Sequence, residues 1–212
     1  MSDDLEQMRQ DYAGAPLRRA DLALTWLEQL ERWIDEAVRA ELPEPNAMVL
    51  ATADVDAIPS VRTVLLKGLD DHGLTFFTNL RSRKGQELSA NARAAVVFPW
   101  IALHRQVIVD GPVEVLDASA SDEYFASRPR GAQVAAAASD QSHPVESRSE
   151  LEAAFQAVED RYTDAVPRPE HWGGLRLRPD AVEFWQGRPD RLHDRLRFRH
   201  TVGEWTVERL AP

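Results

Sequence analysis

Residues 183–195 read Glu-Phe-Trp-Gln-Gly-Arg-Pro-Asp-Arg-Leu-His-Asp-Arg, crowding cations and one imidazole beside an aromatic pair. If Arg191 to Arg195 run extended, the two-residue side-chain period puts Arg191, His193 and Arg195 on one face, with neighbours roughly 7 Å apart. Like charges at that spacing repel, so the arrangement points to an anionic or electron-rich ligand lying across the face. A solvated edge strand is the plainer alternative, but it leaves Trp185 and His193 among the cations without a reason. Residues 168–199 hold eight arginines against five acids in a chain whose net charge is −10, so positive charge is concentrated there.

Three other constellations can carry chemistry. In Thr78-Asn79-Leu80-Arg81-Ser82-Arg83-Lys84 a strand gives way to a helix with Ser82 as its cap. Free N–H groups and the helix dipole at such a start favour an anion, and Arg83 and Lys84 add charge-assisted hydrogen bonds; a solvated basic turn is the alternative. Arg62-Thr63-Val64-Leu65-Leu66-Lys67 is an apolar run with a cation at each end, and in a regular strand the two cations face opposite sides. In Tyr124-Phe-Ala-Ser-Arg128-Pro-Arg130 a phenol and a guanidinium stand at i and i+4 on one helical face, a pair able to grip a phosphate or simply to pack and be solvated. Gln106, entering an apolar strand, and Gln141-Ser142, in a loop, can read the donors and acceptors of a heterocycle.

The elements that must position these residues are mainly β. Residues 1–20 lack periodicity and are expected to form a mobile arm, with Arg9 and Tyr12 able to close over a site. Thr25 and Glu28 fit a capping box ahead of an amphipathic helix that stops before Pro43 and uses Trp26 and Trp33 as core. Strand-like runs follow at 47–53, 61–67, 74–78, 94–100 and 105–116, with a turn at Asp70-Asp71-His72-Gly73. Helices are expected over 119–127, 133–138 and 147–162, forming a helical insert at about 118–165, and strands resume near 175, 181–185, 195–200 and 205–210. Short strands with tight connections imply an antiparallel barrel or sandwich, and residues 21–212 read as one domain of mainly β structure with flanking helices (α+β).

Composition narrows the chemistry. An excess of negative charge argues against nonspecific nucleic-acid binding or adhesion to anionic membrane, while leaving pockets for small anions possible. With no cysteine there is no disulfide, thiolate metal site or cysteine nucleophile, and six scattered histidines lack ligand spacing, so no metal is expected. There is no apolar run of membrane-spanning length and no basic-then-apolar leader, which makes the cytoplasm the expected compartment. Gly-x-Gly-x-x-Gly after a strand, a Walker loop, His-Glu-x-x-His and Gly-x-Ser-x-Gly are all missing, which removes the familiar nucleotide, zinc-protease and esterase readings.

Taken together, Arg-Thr-Val-Leu-Leu-Lys at 62–67, Phe-Phe-Thr-Asn-Leu-Arg-Ser-Arg-Lys at 76–84, Glu-Phe-Trp-Gln-Gly at 183–187, Arg-Leu-His-Asp-Arg at 191–195 and the terminal Arg-Leu-Ala-Pro resemble the pyridoxamine 5′-phosphate oxidase family. The resemblance covers nearly the whole chain. It implies a homodimer of FMN-binding split β-barrels, with FMN at the subunit interface and contributions from both chains. It also implies that Arg62, Val64, Leu65, Lys67, Phe77, Thr78, Arg83, Lys84, Gln106, Gln141, Ser142, Trp185 and Arg195 hold FMN. Lys67, Tyr124, Arg128, Arg191 and His193 would hold a vitamin B6 5′-phosphate, Arg191 and His193 as the catalytic pair, with Arg9 and Tyr12 as a lid. The implied reaction oxidises pyridoxamine or pyridoxine 5′-phosphate at C4′ with O2 as final acceptor, giving pyridoxal 5′-phosphate and H2O2, with NH3 released from the amine. One departure is Ala132, where the family usually has a serine in the substrate-phosphate motif. Alternatives are another split-barrel flavoenzyme, such as a phenazine-type oxidase or a deazaflavin-dependent reductase, and a noncatalytic B6-phosphate or flavin binder.

Overall fold

The computed structural model describes residues 7–8, 11–12 and 14–212. The fold class is the expected one, mainly β with flanking helices, with ten strands and five α-helices among the described residues. The chain divides into two compact units, one of Met1–Leu50, Ala95–Gly111 and Pro179–Pro212, the other of Ala51–Ala94 and Pro112–Arg178. Strands β1 (Ala47–Ala53), β5 (Arg93–Trp100) and β6 (Arg105–Val115) have residues in both. Among the described residues no helix is long and apolar enough to cross a membrane.

In the first unit, α1 (Trp26–Arg39) starts at the Thr25 capping box: Thr25 Oγ1 accepts from Glu28 N–H at 3.2 Å and Glu28 Oε2 accepts from Thr25 N–H at 3.2 Å. Its buried residues, Trp26, Gln29, Leu30, Trp33 and Ala37, recur at three and four and so make one face. The sheet of this unit is an antiparallel succession of the first half of β6, then β8 (Ala181–Gln186), β9 (Asp194–Thr201) and β10 (Glu204–Arg209). Val107, Val109, Val182, Phe184, Leu196 and Phe198 fill its core face, and Trp33 and Phe198 both meet the Phe184 ring edge-on, at 5.2 and 5.8 Å. Burial alternates along β6 and the start of β9, while β8 is buried on both faces, and the face opposite the core carries in register Gln106 with Trp185 with Arg195, then Ile108 with the buried Glu183 with Arg197.

The second unit pairs β3 (Gly68–Asp70) with β4 (Gly73–Asn79), β4 with β7 (Trp172–Leu177), and β7 with the end of β6, all antiparallel. Asp70 Oδ1 accepts from His72 and Gly73 N–H at 2.9 and 3.0 Å, which closes the expected turn. Helices α3 (Ala118–Ser127), α4 (Arg130–Ala138) and α5 (Arg148–Arg161) pack over a small core of Phe125, Val134, Val166 and Trp172. Each starts within a few residues of its expected position, α3 on Asp117 and α5 on Ser147 as side-chain caps.

Two expectations about backbone differ from the structure. The strand expected at 61–67 is β2 (Pro59–Leu65), and the turn follows the separate short strand β3. Lys67 lies beyond the end of β2, its N–H donating to Thr75 O at 2.8 Å, so strand parity does not govern where its side chain points. Residues 191–195 are not one extended run: Pro189–Arg191 form a 3₁₀ turn with Asp190 and Arg191 at φ 55° and 60°, and β9 begins only at Asp194. Pro189 fixes its own φ and starts the turn, so Arg191 and His193 are not stacked above Arg195 as a charged strand face.

Helix α2 (Arg83–Ala90) follows β4 after a bend of three residues, and Gly85 makes that bend possible: a Cβ there would lie 2.2 Å from Leu80 O. Gly131 in α4, by contrast, faces open space. Gly85→Ala is expected to lower stability by about 1–3 kcal/mol in urea unfolding, whereas Gly131→Ala leaves it unchanged or raises it by up to about 1 kcal/mol.

Candidate active site

At the end of β4, Ser82 caps α2, accepting from Gly85 N–H at 3.4 Å while its own hydroxyl donates to Asn79 O at 2.6 Å. That geometry turns Lys84 inward, where it is 9% exposed. Its ammonium donates to Thr78 Oγ1 at 3.1 Å, Ser82 Oγ at 3.2 Å and Gln141 Oε1 at 2.7 Å. Burial, helped by the charge on Arg62 and opposed by that on Glu87, lowers its pKa from 10.5 to about 8.

Glu87, one turn further along α2, is 4% exposed. Burial alone would raise its pKa. Hydrogen bonds from Ser60, Thr52 and Arg83 and the charge on Arg62 outweigh that and bring it down to about 2. Ser60 Oγ donates to Oε2 at 2.6 Å, Arg83 Nε to Oε1 at 2.8 Å and Arg62 to Oε2 at 3.3 Å, with Thr52 also donating. Arg62 in turn donates to the hydroxyls of Thr52 and Ser60.

Arg62, Val64, Leu65, Lys67, Phe77, Thr78 and Lys84 line one side of a cavity of about 460 Å³, and Tyr124, Arg128, Gln141 and Trp172 also line it. Phe77 and Tyr124 stack at 4.0 Å between ring centres, and Phe77 stacks on Trp172 at 5.4 Å. Gly174, directly opposite Phe77 on β7, allows this, since a Cβ would sit 2.8 Å from the Phe77 ring. The Arg128 guanidinium lies over Trp172 at 4.8 Å. Its NH1 is buried and, among the described residues, has no hydrogen-bond partner. Burial also pushes its pKa below the usual arginine value, against the influence of Tyr124. A buried cationic donor without an acceptor is costly and calls for an anion in the cavity.

In the first unit a cavity of about 630 Å³ is lined by Tyr12, Trp185, Arg188, Arg191 and His193, among others. His193 stacks obliquely on Trp185 at 4.6 Å, and Tyr12 contacts both rings, at 5.6 and 5.9 Å, and that of His104 at 4.6 Å. His193 Nδ1 accepts from Arg188 N–H at 3.1 Å, so Nε2 is the ring nitrogen left to meet a ligand. Arg195 grips Glu183 through two bonds of 2.7 and 3.0 Å, a pairing that raises its pKa, and donates to Ala211 O at 3.0 Å.

Thus ten of the expected residues share the first cavity, four more (Tyr12, Trp185, Arg191, His193) share the second, and Gln106 and Arg195 flank Trp185 in one cross-strand row. Arg62 and Lys67, expected to face opposite sides, line the same cavity. Arg83 is tied to Glu87, and Ser142, exposed with φ 75°, belongs to neither lining. Arg9 lies outside the described residues. Sequence reasoning missed Glu87, Trp172 and Arg188; for Glu87 the i, i+4 spacing from Arg83 was an available signal.

Two families match in tandem: one described as pyridoxamine 5′-phosphate oxidase over residues 34–162, and one described as the pyridoxine 5′-phosphate oxidase C-terminal dimerisation region over 172–212. A pyridoxine/pyridoxamine 5′-phosphate oxidase of Salinibacter ruber is 56% identical, spanning 98% of this chain and 99% of the relative. One from Ralstonia pickettii is 54% identical, again over 98% and 99%. Among solved structures, PhzG from Burkholderia lata, in complex with tetrahydrophenazine-1-carboxylic acid, superposes with a TM-score of 0.89 at 32% identity, covering 94% of this chain and 100% of that one. A pyridoxamine 5′-phosphate oxidase-related, FMN binding protein from Nostoc punctiforme shares the fold, with a TM-score of 0.74 at 18% identity over 90% and 100% of the two chains.

Lys84 gives the unliganded protein a measurable pH signature. With its pKa near 8 when folded and 10.5 as the ordinary value, folding releases a proton between those limits, so stability rises with pH across that window. The stability difference Lys84→Met minus wild type should therefore fall by on the order of 3 kcal/mol as pH goes from below 8 to above 10.5, measured by urea unfolding.

Proposed function

Because the chain belongs to the pyridoxamine 5′-phosphate oxidase family, we propose that it is an FMN-dependent oxidase converting pyridoxamine or pyridoxine 5′-phosphate to pyridoxal 5′-phosphate. O2 is the acceptor; the amine reaction consumes water and releases NH3 and H2O2, and the alcohol reaction releases H2O2. The enzyme acts in cytoplasmic vitamin B6 metabolism as a homodimer. The observation that carries the reading is the buried, unpartnered NH1 of Arg128 in a cavity that also presents Lys84, Arg62 and Lys67. Positive charge on several sides of one aromatic-lined space suits two phosphorylated ring molecules.

In this reading Arg62 and Lys84, with Thr78 and Gln141, hold the FMN phosphate, and Arg83 adds charge at the start of α2. Val64, Leu65 and Phe77 bound the space beside it. Arg128, Tyr124 and Lys67 hold the substrate phosphate. A second copy of the chain supplies Gln106, Trp185 and Arg195 to the flavin and Tyr12, Arg191 and His193 to the substrate, with Ser142 and Arg9 as the remaining family contacts. When bound, FMN would supply the two-electron redox chemistry of the proposed reaction. Fixed by the Arg188 N–H, His193 presents Nε2 to exchange a proton with the substrate's polar group at C4′, and Arg191 orients that group. The orientation of Arg195 is set by Glu183, so its charge is held in place rather than free to swing.

A second reading, a phenazine-type oxidase, is favoured by the similarity to PhzG. The Arg191-Leu192-His193 sequence supports the first reading over it.

Purified protein supplemented with FMN is expected to show a flavin spectrum and, in air with pyridoxamine 5′-phosphate, to form aldehyde and peroxide in equal amounts. Turnover of tetrahydrophenazine-1-carboxylic acid in place of the B6 phosphates would select the second reading. His193→Ala should lower kcat/KM on the order of 100-fold, and Arg128→Ala should raise KM roughly 10- to 100-fold, the worth of a hydrogen bond to a charged group. Restoring a hydroxyl with Ala132→Ser should lower KM by up to about fivefold, the worth of one neutral hydrogen bond.

A further inference from the structure

Resting on the reading of the first cavity as the FMN site, we propose that Glu87 is a positioning residue for the cofactor phosphate, holding Arg62 and Arg83 in place. Glu87 is not part of the cavity wall, yet its carboxylate is shared by groups from three elements: Thr52 on β1, Ser60 and Arg62 on β2, and Arg83 on α2. Arg62 and Arg83 are the charged groups paired with it, and its charge also favours the protonated form of Lys84. A buried carboxylate is expensive unless it is paired and hydrogen-bonded, and this one is satisfied on both oxygens. The same hydroxyls that donate to Glu87 also accept from Arg62, so the arginine is held by three acceptors in a single geometry.

Charge balance gives the arrangement its function. Two cations, Arg62 and Arg83, pair with the carboxylate and Lys84 lies within reach of its charge, so the three cations and one carboxylate leave two net positive charges for a phosphate monoester that carries ~−2. Without Glu87 the cations would repel one another and the buried ammonium would lose a proton more readily, since Arg62 already opposes its charge. The carboxylate thus trades one unit of attraction for fixed geometry and a charged lysine.

The test is FMN binding to the apoprotein, followed by quenching of flavin fluorescence from pH 6 to 9.5 in wild type, Glu87→Gln and Glu87→Asp. Glu87→Gln is expected to raise the Kd tenfold or more at pH 8 and to move the pH at which affinity falls to a lower value, with Glu87→Asp partly restoring both. A uniformly weaker Kd with an unmoved pH profile would mean that Glu87 serves only the fold and would overturn the proposal, as would unchanged binding. Should Glu87→Gln fail to fold, Thr52→Val, which removes one donor to the carboxylate and one acceptor of Arg62 while leaving Glu87 ionised, is expected to raise the Kd at pH 8 by less than tenfold with the pH profile in place, and an unchanged Kd there counts against the proposal equally. Wild-type protein that does not bind FMN would instead overturn the reading of the cavity itself.

Discussion

Keeping positive charge buried where β4 ends is the constraint on which the second unit is organised. An ammonium taken from water must have its donors filled, and Lys84 finds Thr78, Ser82 and Gln141, one from the strand, one from the cap and one from the loop after α4. Those three acceptors are in place only if the chain bends sharply between Asn79 and Arg83, and the bend depends on the Ser82 cap and on a glycine at 85. Helix α2 is eight residues long, too short to be stable by itself, so the buried polar cluster and the helix stabilise each other.

The first unit places its groups by a different means. There the positioning device is strand register: Gln106, Trp185 and Arg195 stand abreast because β6, β8 and β9 pair in one alignment. That alignment is fixed by the other face, where Val107, Phe184 and Leu196 are buried. Sliding any one of these strands by a single residue would expose its share of that core and turn its member of the row inward, so hydrophobic burial enforces the geometry of the polar row. The loop carrying Arg191 and His193 is held separately, by the Arg188 N–H on the imidazole and by two consecutive left-handed residues.

What the sequence made legible were the features that local physics decides. Capping side chains at Thr25, Ser82 and Ser147 stand where their spacing placed them, and strand β1 has the expected limits. The paired cations and aromatics of the first cavity were legible as motifs, though not as one cavity, because Arg62 and Lys67 were judged by strand parity that ends at Leu65. The turn at Pro189–Arg191 was hidden by an alternating charge pattern that mimics a strand. Glu87 and Trp172 escaped for a common reason: their roles come from partners distant in sequence, and periodicity reports which face is buried, not what a buried polar group meets there.

The arginines sort by what their donors meet, and this separates scaffold from receptor. Arg105 is paired with Glu36, Arg195 with Glu183 in two bonds, and Arg62 with Glu87, so each carries a carboxylate that offsets its charge and fixes its plane. Arg128 is different: its guanidinium lies over the rings of Trp172 and Phe125, which attract a cation but accept no conventional hydrogen bond from NH1. A guanidinium already saturated by protein acceptors can lend a ligand only its residual field. One held over aromatic rings with a buried N–H unfilled retains its strongest interaction for whatever enters. The rings also limit the space through which solvent can satisfy that donor, so an anion arriving at Arg128 displaces little competing hydrogen bonding. On the proposed reading of the cavity, Arg128 is the position where ligand charge gains most, whereas Arg62 is already oriented by protein charge.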